Sequence, residues 1–250
     1  MQTSGGAWGK SYSYTHSTKI SLRLAVLKKE SILYCRFDFT IAMKYIVTTP
    51  WWLRMFYTDG LIWQMAEKEK TIYLTFDDGP HPIATSFVLD ELKKYHAKAT
   101  FFCIGKNVAE YPSVFKSILT QGHRIGNHTH NHLNGWKTGD EAWLNDIKEA
   151  AQWIDSDLFR PPYGKIKSFA AKLLLQASPP YKIIMWSVLS ADFDVSKTGE
   201  QCYEHVRKHT KEGSIVVFHD SEKAWPRLQN ALPKVLDYFS ARGFQFKAFE

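Results

Sequence analysis

At 250 residues, 44% of them hydrophobic and 15% aromatic, the chain can hold one large α/β domain with a well-buried core. It has no apolar run near the roughly 20 residues that a membrane helix requires, so no transmembrane segment is expected. The formal charge of +7 does not point to nucleic acid. Lys10, Lys19, Arg23, Lys28, Lys29 and Arg36 against Glu30 and Asp38 place +4 of it in residues 1–42, and no basic stripe interleaved with aromatics follows. Cys35, Cys103 and Cys202 are far apart and form no CxxC pair; they read as free thiols, with Cys103 a small core residue.

Residues 1–42 are rich in Ser, Thr, Gly and Tyr at first and lack amphipathic periodicity, which predicts a poorly ordered extension. They do not read as a secretory signal, since Arg23 interrupts Ile20–Leu27 and no small-residue cleavage site follows. Compartment therefore stays unassigned, and Met43 is read as the natural start. Residues 43–70 carry Trp51, Trp52, Phe56, Tyr57, Ile62 and Trp63; this aromatic-rich arm is expected to pack on the main domain rather than to stack on a ligand.

From Thr71 onward, apolar runs alternate with helical patterns. The runs span 72–76, 100–104, 123–126, 158–160, 183–188, 215–219 and 244–249; the helical stretches span 83–95, 112–120, 141–154, 168–176, 200–210 and 227–241. Thr138-Gly139-Asp140-Glu141 matches a capping box opening the third helix. About seven strand-helix units predict a parallel sheet in a distorted or incomplete (β/α) barrel, with residues 71–250 as the main domain.

The notable polar residues fall just after these runs, on the rim where barrels place active sites. Asp77 and Asp78 are adjacent in Thr75-Phe76-Asp77-Asp78-Gly79-Pro80; a cation that holds one carboxylate and leaves the other free as a proton acceptor explains such a pair. His128 and His132 in His128-Thr129-His130-Asn131-His132 complete a ligand set with Asp78 that leaves a coordination position open. Two imidazoles and one carboxylate favour Zn²⁺. His130 is expected to point elsewhere. In Arg160-Pro161-Pro162-Tyr163-Gly164 the prolines carry no N–H, so the first free donor is the Tyr163 amide, fit for half of an oxyanion hole. His219, ending Ile215-Val216-Val217-Phe218-His219, could donate a proton to a leaving group if a carboxylate such as Asp192 fixes its tautomer.

In order and spacing these motifs resemble those of the polysaccharide deacetylases, carbohydrate esterase family 4 with its NodB-homology domain, over residues 70–250. The resemblance implies metal-dependent removal of acetyl groups from N- or O-acetylated sugars by a protein expected to act as a monomer. It also implies Asp77 as general base, Asp78, His128 and His132 as metal ligands, Arg160 as the residue positioning the base, and His219 as general acid tuned by Asp192. Tyr163 is then the amide donor, with Pro162, Phe193 and Val217 lining the acetyl pocket. Leu189-Ser190-Ala191-Asp192-Phe193 departs from the family pattern, keeping only the second Asp and replacing Trp by Phe, and Val217 stands where Leu is usual. Two rival readings are a hydrolase of non-sugar amides or cyclic imides using the same site, and a metal-bound carbohydrate-binding protein without turnover.

Overall fold

The structure, a computed structural model, describes residues 47–66 and 69–250. The extension expected over residues 1–42, the start at Met43 and Cys35 lie outside the described residues.

In chain order the elements are helix α1 (Trp51–Arg54), strand β1 (Thr71–Asp77), α2 (Ala84–Lys94), β2 (Thr100–Cys103), α3 (Gly105–Glu110), α4 (Pro112–Thr120) and β3 (Arg124–Asn127). There follow α5 (Asp140–Ala151), β4 (Leu158–Phe159), a 3₁₀ turn (Pro162–Gly164), α6 (Ser168–Leu175), β5 (Lys182–Ile183) and β6 (Val188–Leu189). The chain ends with α7 (Gly199–His209), β7 (Ser214–His219), α8 (Trp225–Ser240) and β8 (Gln245–Phe246). The sheet order is β5-β4-β3-β2-β1-β7-β6, all pairs parallel, with β8 added beside the start of β1. Seven parallel strands curl into the expected barrel-like α/β fold.

The run read as one strand over 183–188 is two short ones. β5 and β6 lie at opposite ends of the strand order, yet residues 184–187 alone connect them, so the sheet must curl until its ends are neighbours. The chain before β1 spans that seam. Leu189 N–H donates to Val47 O and Thr49 N–H to Ser187 O on one side; Ile62 N–H donates to Ile183 O and Met185 N–H to Ile62 O on the other. Its aromatics divide accordingly: Trp63 is buried, whereas Trp51, Trp52 and Phe56 are exposed.

Side-chain alternation along a strand separates two cores. On β1, Ile72, Leu74 and Phe76 face the helices, with Phe76 stacked between Phe101 and Phe218 at ring separations of 5.0 and 6.1 Å. Each fully buried side chain of this kind contributes about 1.5–3 kcal/mol. Tyr73 turns inward with Phe102, Leu158, Ile184 and Ile215 and fills the bottom of the barrel, where Phe249 stacks on Tyr73 at 5.1 Å. The same period carries Thr75 and Asp77 on β1, and Val217 and His219 on β7, inward and upward; register pairs Thr75 with Val217 and Asp77 with His219.

The capping box expected at Thr138–Glu141 does not form. The helix starts one residue later than the box requires: Gly139, which has no side chain to cap with, is the N-cap of α5, so Thr138 lies before the cap and Glu141 at the second helical position instead of the third. A capping box occurs instead at α7, between Thr198 and Gln201.

Candidate active site

Asp78 stands where β1 ends, at φ 76°, and Asn107 holds its carbonyl by an amide hydrogen bond of 2.7 Å. This turn brings its carboxylate to the two histidines: Oδ1 lies 3.1 Å from His132 Nε2 and 3.6 Å from His128 Nε2. Ligand atoms from the three residues all lie within 4.8 Å of one another. Asp78 Oδ1 is buried without an aligned donor, so a cation shared with the imidazoles is the partner that completes it. Burial opposes charge on Asp78, but the close His132 imidazole and the positive charge of His219 hold its carboxyl well below the usual carboxylate range. Burial pushes His128 down to about 4, keeping it neutral as a ligand must be. Its Nδ1 donates to Arg160 O at 2.7 Å, which turns the Nε2 lone pair toward Asp78. His130 faces away, with Nε2 3.3 Å from Glu149. The donor set fits a divalent metal.

The segment carrying both histidines is strained and externally held. Thr129 and His132 adopt φ of 63° and 56°, unusual for any non-glycine residue and more so for a β-branched one. Asn127 Oδ1 accepts the Thr129 N–H at 2.8 Å. From α5, the buried Asp146 carboxylate accepts the His130 N–H, the Asn131 N–H and the Asn131 side-chain amide at 3.1, 3.0 and 2.7 Å. Sequence reasoning missed Asp146. Its signal was a carboxylate on the apolar stripe that Trp143, Ile147 and Ala150 define.

Asp77 lies beside this set with Arg160 beneath it. The guanidinium is fully buried; Nη1 donates to Asp77 Oδ1 and to Thr75 Oγ1 at 2.7 Å each, Nε to Ile184 O at 3.1 Å and Nη2 to Met185 O at 3.0 Å. Its carbon lies 4.1 Å from the Phe102 ring centroid. Asp220, which follows His219 at the same strand end and was given no role from the sequence, is fully buried; its N–H donates to Asp77 O at 3.1 Å and its carboxylate accepts from Thr85. It presses on Gly79, where a Cβ would come within 2.2 Å of Oδ2. Burial and the nearby aspartates raise its carboxyl to about 8, although its hydrogen bonds oppose the rise.

Across the site, Asp192 Oδ1 lies 2.7 Å from His219 Nδ1 and Oδ2 accepts the His219 N–H at 2.8 Å. Arg227 donates in turn to the Asp192 carbonyl. Burial disfavours the imidazolium, but Asp192 outweighs it and raises His219 to about 9. Phe193 packs edge-on to His219 with centroids 5.3 Å apart, and Val217 is buried on the strand beneath. Pro162 is buried at the 3₁₀ turn, and Tyr163, at φ 60°, is 59% exposed with its ring 4.6 Å from that of His132. The Tyr163 N–H has no acceptor among the described residues.

Among the described residues, five of the six non-glycine positions with positive φ (Asp78, Thr129, His132, Tyr163 and Ala191) lie on this rim. Such backbone costs about 1–3 kcal/mol each and persists where its surroundings over-determine it. A curled parallel barrel whose rim joins a carboxylate–imidazole ligand set, a second carboxylate and a protonatable histidine defines a metal-dependent hydrolase. The polysaccharide deacetylase family model matches residues 64–178. A peptidoglycan-N-acetylglucosamine deacetylase of Bacillus cereus is 38% identical over 195 residues, 76% of this chain and 91% of that protein. A chitooligosaccharide deacetylase of Azorhizobium caulinodans is 32% identical over 63% of this chain and 77% of its own. The crystal structure of the Bc1960 peptidoglycan N-acetylglucosamine deacetylase superposes with a TM-score of 0.72 at 27% identity, covering 80% of this chain and 95% of that one. The chain belongs to the polysaccharide deacetylase family and is a deacetylase-type hydrolase acting on acetylated sugars. Among the described residues no helix is long and apolar enough to cross a membrane.

Proposed function

We propose that this protein removes the acetyl group from N-acetylated sugars of a peptidoglycan-type glycan, acting as a monomer with Zn²⁺ held by Asp78, His128 and His132. The observation that carries the reading is that Asp77 and His219, a base and an acid, stand side by side as register partners at the ends of the neighbouring strands β1 and β7, beside one three-ligand set. The metal, when bound, supplies Lewis acidity toward the amide carbonyl and the attacking water. Asp77, fixed by Arg160, accepts the proton of that water as its oxygen adds to the carbonyl carbon. The exposed Tyr163 turn offers its N–H to the oxygen on which negative charge develops, and the proline-fixed backbone costs no reorganisation at that moment. His219, kept protonated by Asp192, gives its proton to the sugar nitrogen as the C–N bond breaks, leaving acetate and a free amine. Pro162, Phe193 and Val217 wall the space for the methyl group.

The composition of the ligand set supports zinc over magnesium or calcium, which prefer all-oxygen shells. Residues 71–250 are the catalytic domain in this reading, and the arm before them belongs to its barrel. Acetate release from peptide-free peptidoglycan strands and from chitooligosaccharides, before and after chelation and with Zn²⁺ restored, tests it. Acetate release indifferent to the chelator would overturn it.

A further inference from the structure

Two loops on one side of the rim are locked together beyond what the catalytic residues need. The loop after His132 and the loop after Tyr163 meet at Gly135, where a Cβ would lie 2.3 Å from Lys165 O and 3.1 Å from the Trp143 ring. Lys167 Nζ adds bonds to Thr138 O at 3.0 Å and Asp140 Oδ1 at 2.6 Å. Trp136 Nε1 donates to Ile166 O at 3.1 Å. These contacts fix the Trp136 indole by its polar edge and leave the side chain 53% exposed. A large aromatic ring held rigid in water gives up burial energy that a looser loop could recover, so packing does not account for it. Lys165 Nζ lies 3.9 Å from the centroid of the same ring. Lys167 is neutralised by Asp140, but Lys165 has no carboxylate partner among the described residues.

A pre-set apolar ring with an unneutralised ammonium over one face suits a ligand that lays C–H groups on the rest of the ring and brings a carboxylate to the ammonium. Its place is also informative: Ile166 follows Tyr163 by three residues, at most about 11 Å of chain. That is the neighbourhood of the next saccharide on a strand whose acetylated unit sits at the catalytic centre. We infer that Trp136 and Lys165 form a subsite for a saccharide adjoining the one deacetylated, selecting glycans that carry carboxylates, such as those with lactyl ether acids, over neutral N-acetylated oligomers. This rests on the deacetylase reading above and names the substrate class for that site.

The test uses the full chain with zinc and two substrates of equal length: a neutral N-acetylglucosamine oligomer, and a peptide-free oligomer in which alternate sugars bear a lactyl carboxylate. The readout is the ratio of kcat/KM for acid over neutral substrate. The wild-type ratio should exceed one and fall as salt rises, as a partly exposed charge contact does. Lys165→Met should lower it about fivefold and abolish its salt dependence, and Lys165→Glu should lower it further. Trp136→Ala should raise KM for both oligomers about tenfold, the scale of a lost aromatic contact. A ratio unmoved in both Lys165 variants overturns the subsite. So does an unchanged KM in Trp136→Ala with an intact melting transition. Acetate from neither oligomer overturns the deacetylase reading and this inference with it, whereas acetate with an indifferent ratio overturns the inference alone.

Discussion

Replacing Arg160 by Met should uncouple the fold and the site together. Its side chain is fully buried and satisfies Asp77 Oδ1, Thr75 Oγ1 and the carbonyls of Ile184 and Met185, all on residues that are themselves buried. Methionine fills most of the volume over Phe102 but donates to nothing, so a buried carboxylate and two carbonyls lose their partner. Breaking one side of a buried ion pair costs about 3–5 kcal/mol. In a domain of this size each kcal/mol moves the melting midpoint about 2–4 °C, so a fall of about 6–20 °C is expected in calorimetry of the zinc-loaded protein. Thr75 and the floor of the barrel should feel it too, because this guanidinium, carried just after β4, bonds the Thr75 hydroxyl on β1. Kinetics should show kcat falling by at least the 10² typical of a mispositioned base. A midpoint within 3 °C of wild type would refute the premise that these four bonds are made in the folded protein.

Asp77→Asn should lower kcat by about 10²–10⁴ while zinc stoichiometry, read by metal analysis, stays unchanged. Asp146→Ala should weaken zinc about 10- to 100-fold in a competition titration with a chelator, since three donors of the histidine loop lose their acceptor; equal zinc affinity would contradict the positioning role. The proposed mechanism uses His219 in its protonated form, so kcat/KM should fall as pH rises through about 9. Asp192→Asn removes the group that raises it, and burial then dominates, so the alkaline limb should move to lower pH. The same raised value stabilises the fold by on the order of 3 kcal/mol, fully below pH 6.5 and lost as pH climbs through about 9. Melting curves across that window should show the loss in wild type and not in Asp192→Asn.

The proposed catalytic residues were readable because each sits at a strand end, where an alternating or apolar run stops and polar residue types gather. Asp77, Asp78, Arg160 and His219 needed only that periodicity and the barrel's single rim. Residues that act through others were not readable that way. Asp146 is a lone polar residue inside a helix stripe, and nothing local says that its partners lie in the loop before that helix. The split of 183–188 was hidden for a similar reason: every residue there suits a strand, and only closure of the barrel forces the chain from one sheet end to the other. At Thr138–Glu141 the local pattern for a cap was present, but the helix begins after Gly139, one residue out of step with that pattern, and a one-residue shift of a helix start is not written in the local sequence.

The chain segment spanning the seam has a bearing on how the two margins of the sheet are covered. A curled sheet that stops short of closure leaves two ribbons of unpaired N–H and C=O groups, which can template the addition of strands from another molecule. Here Val47, Thr49 and Ile62 engage both ribbons from within the same chain. The segment acts as an internal guard against strand exchange. A product of proteolysis between Gln64 and Thr71 that shed it would carry an intact rim and two adhesive margins, and its self-association should grow with concentration while its ligand set remains in place.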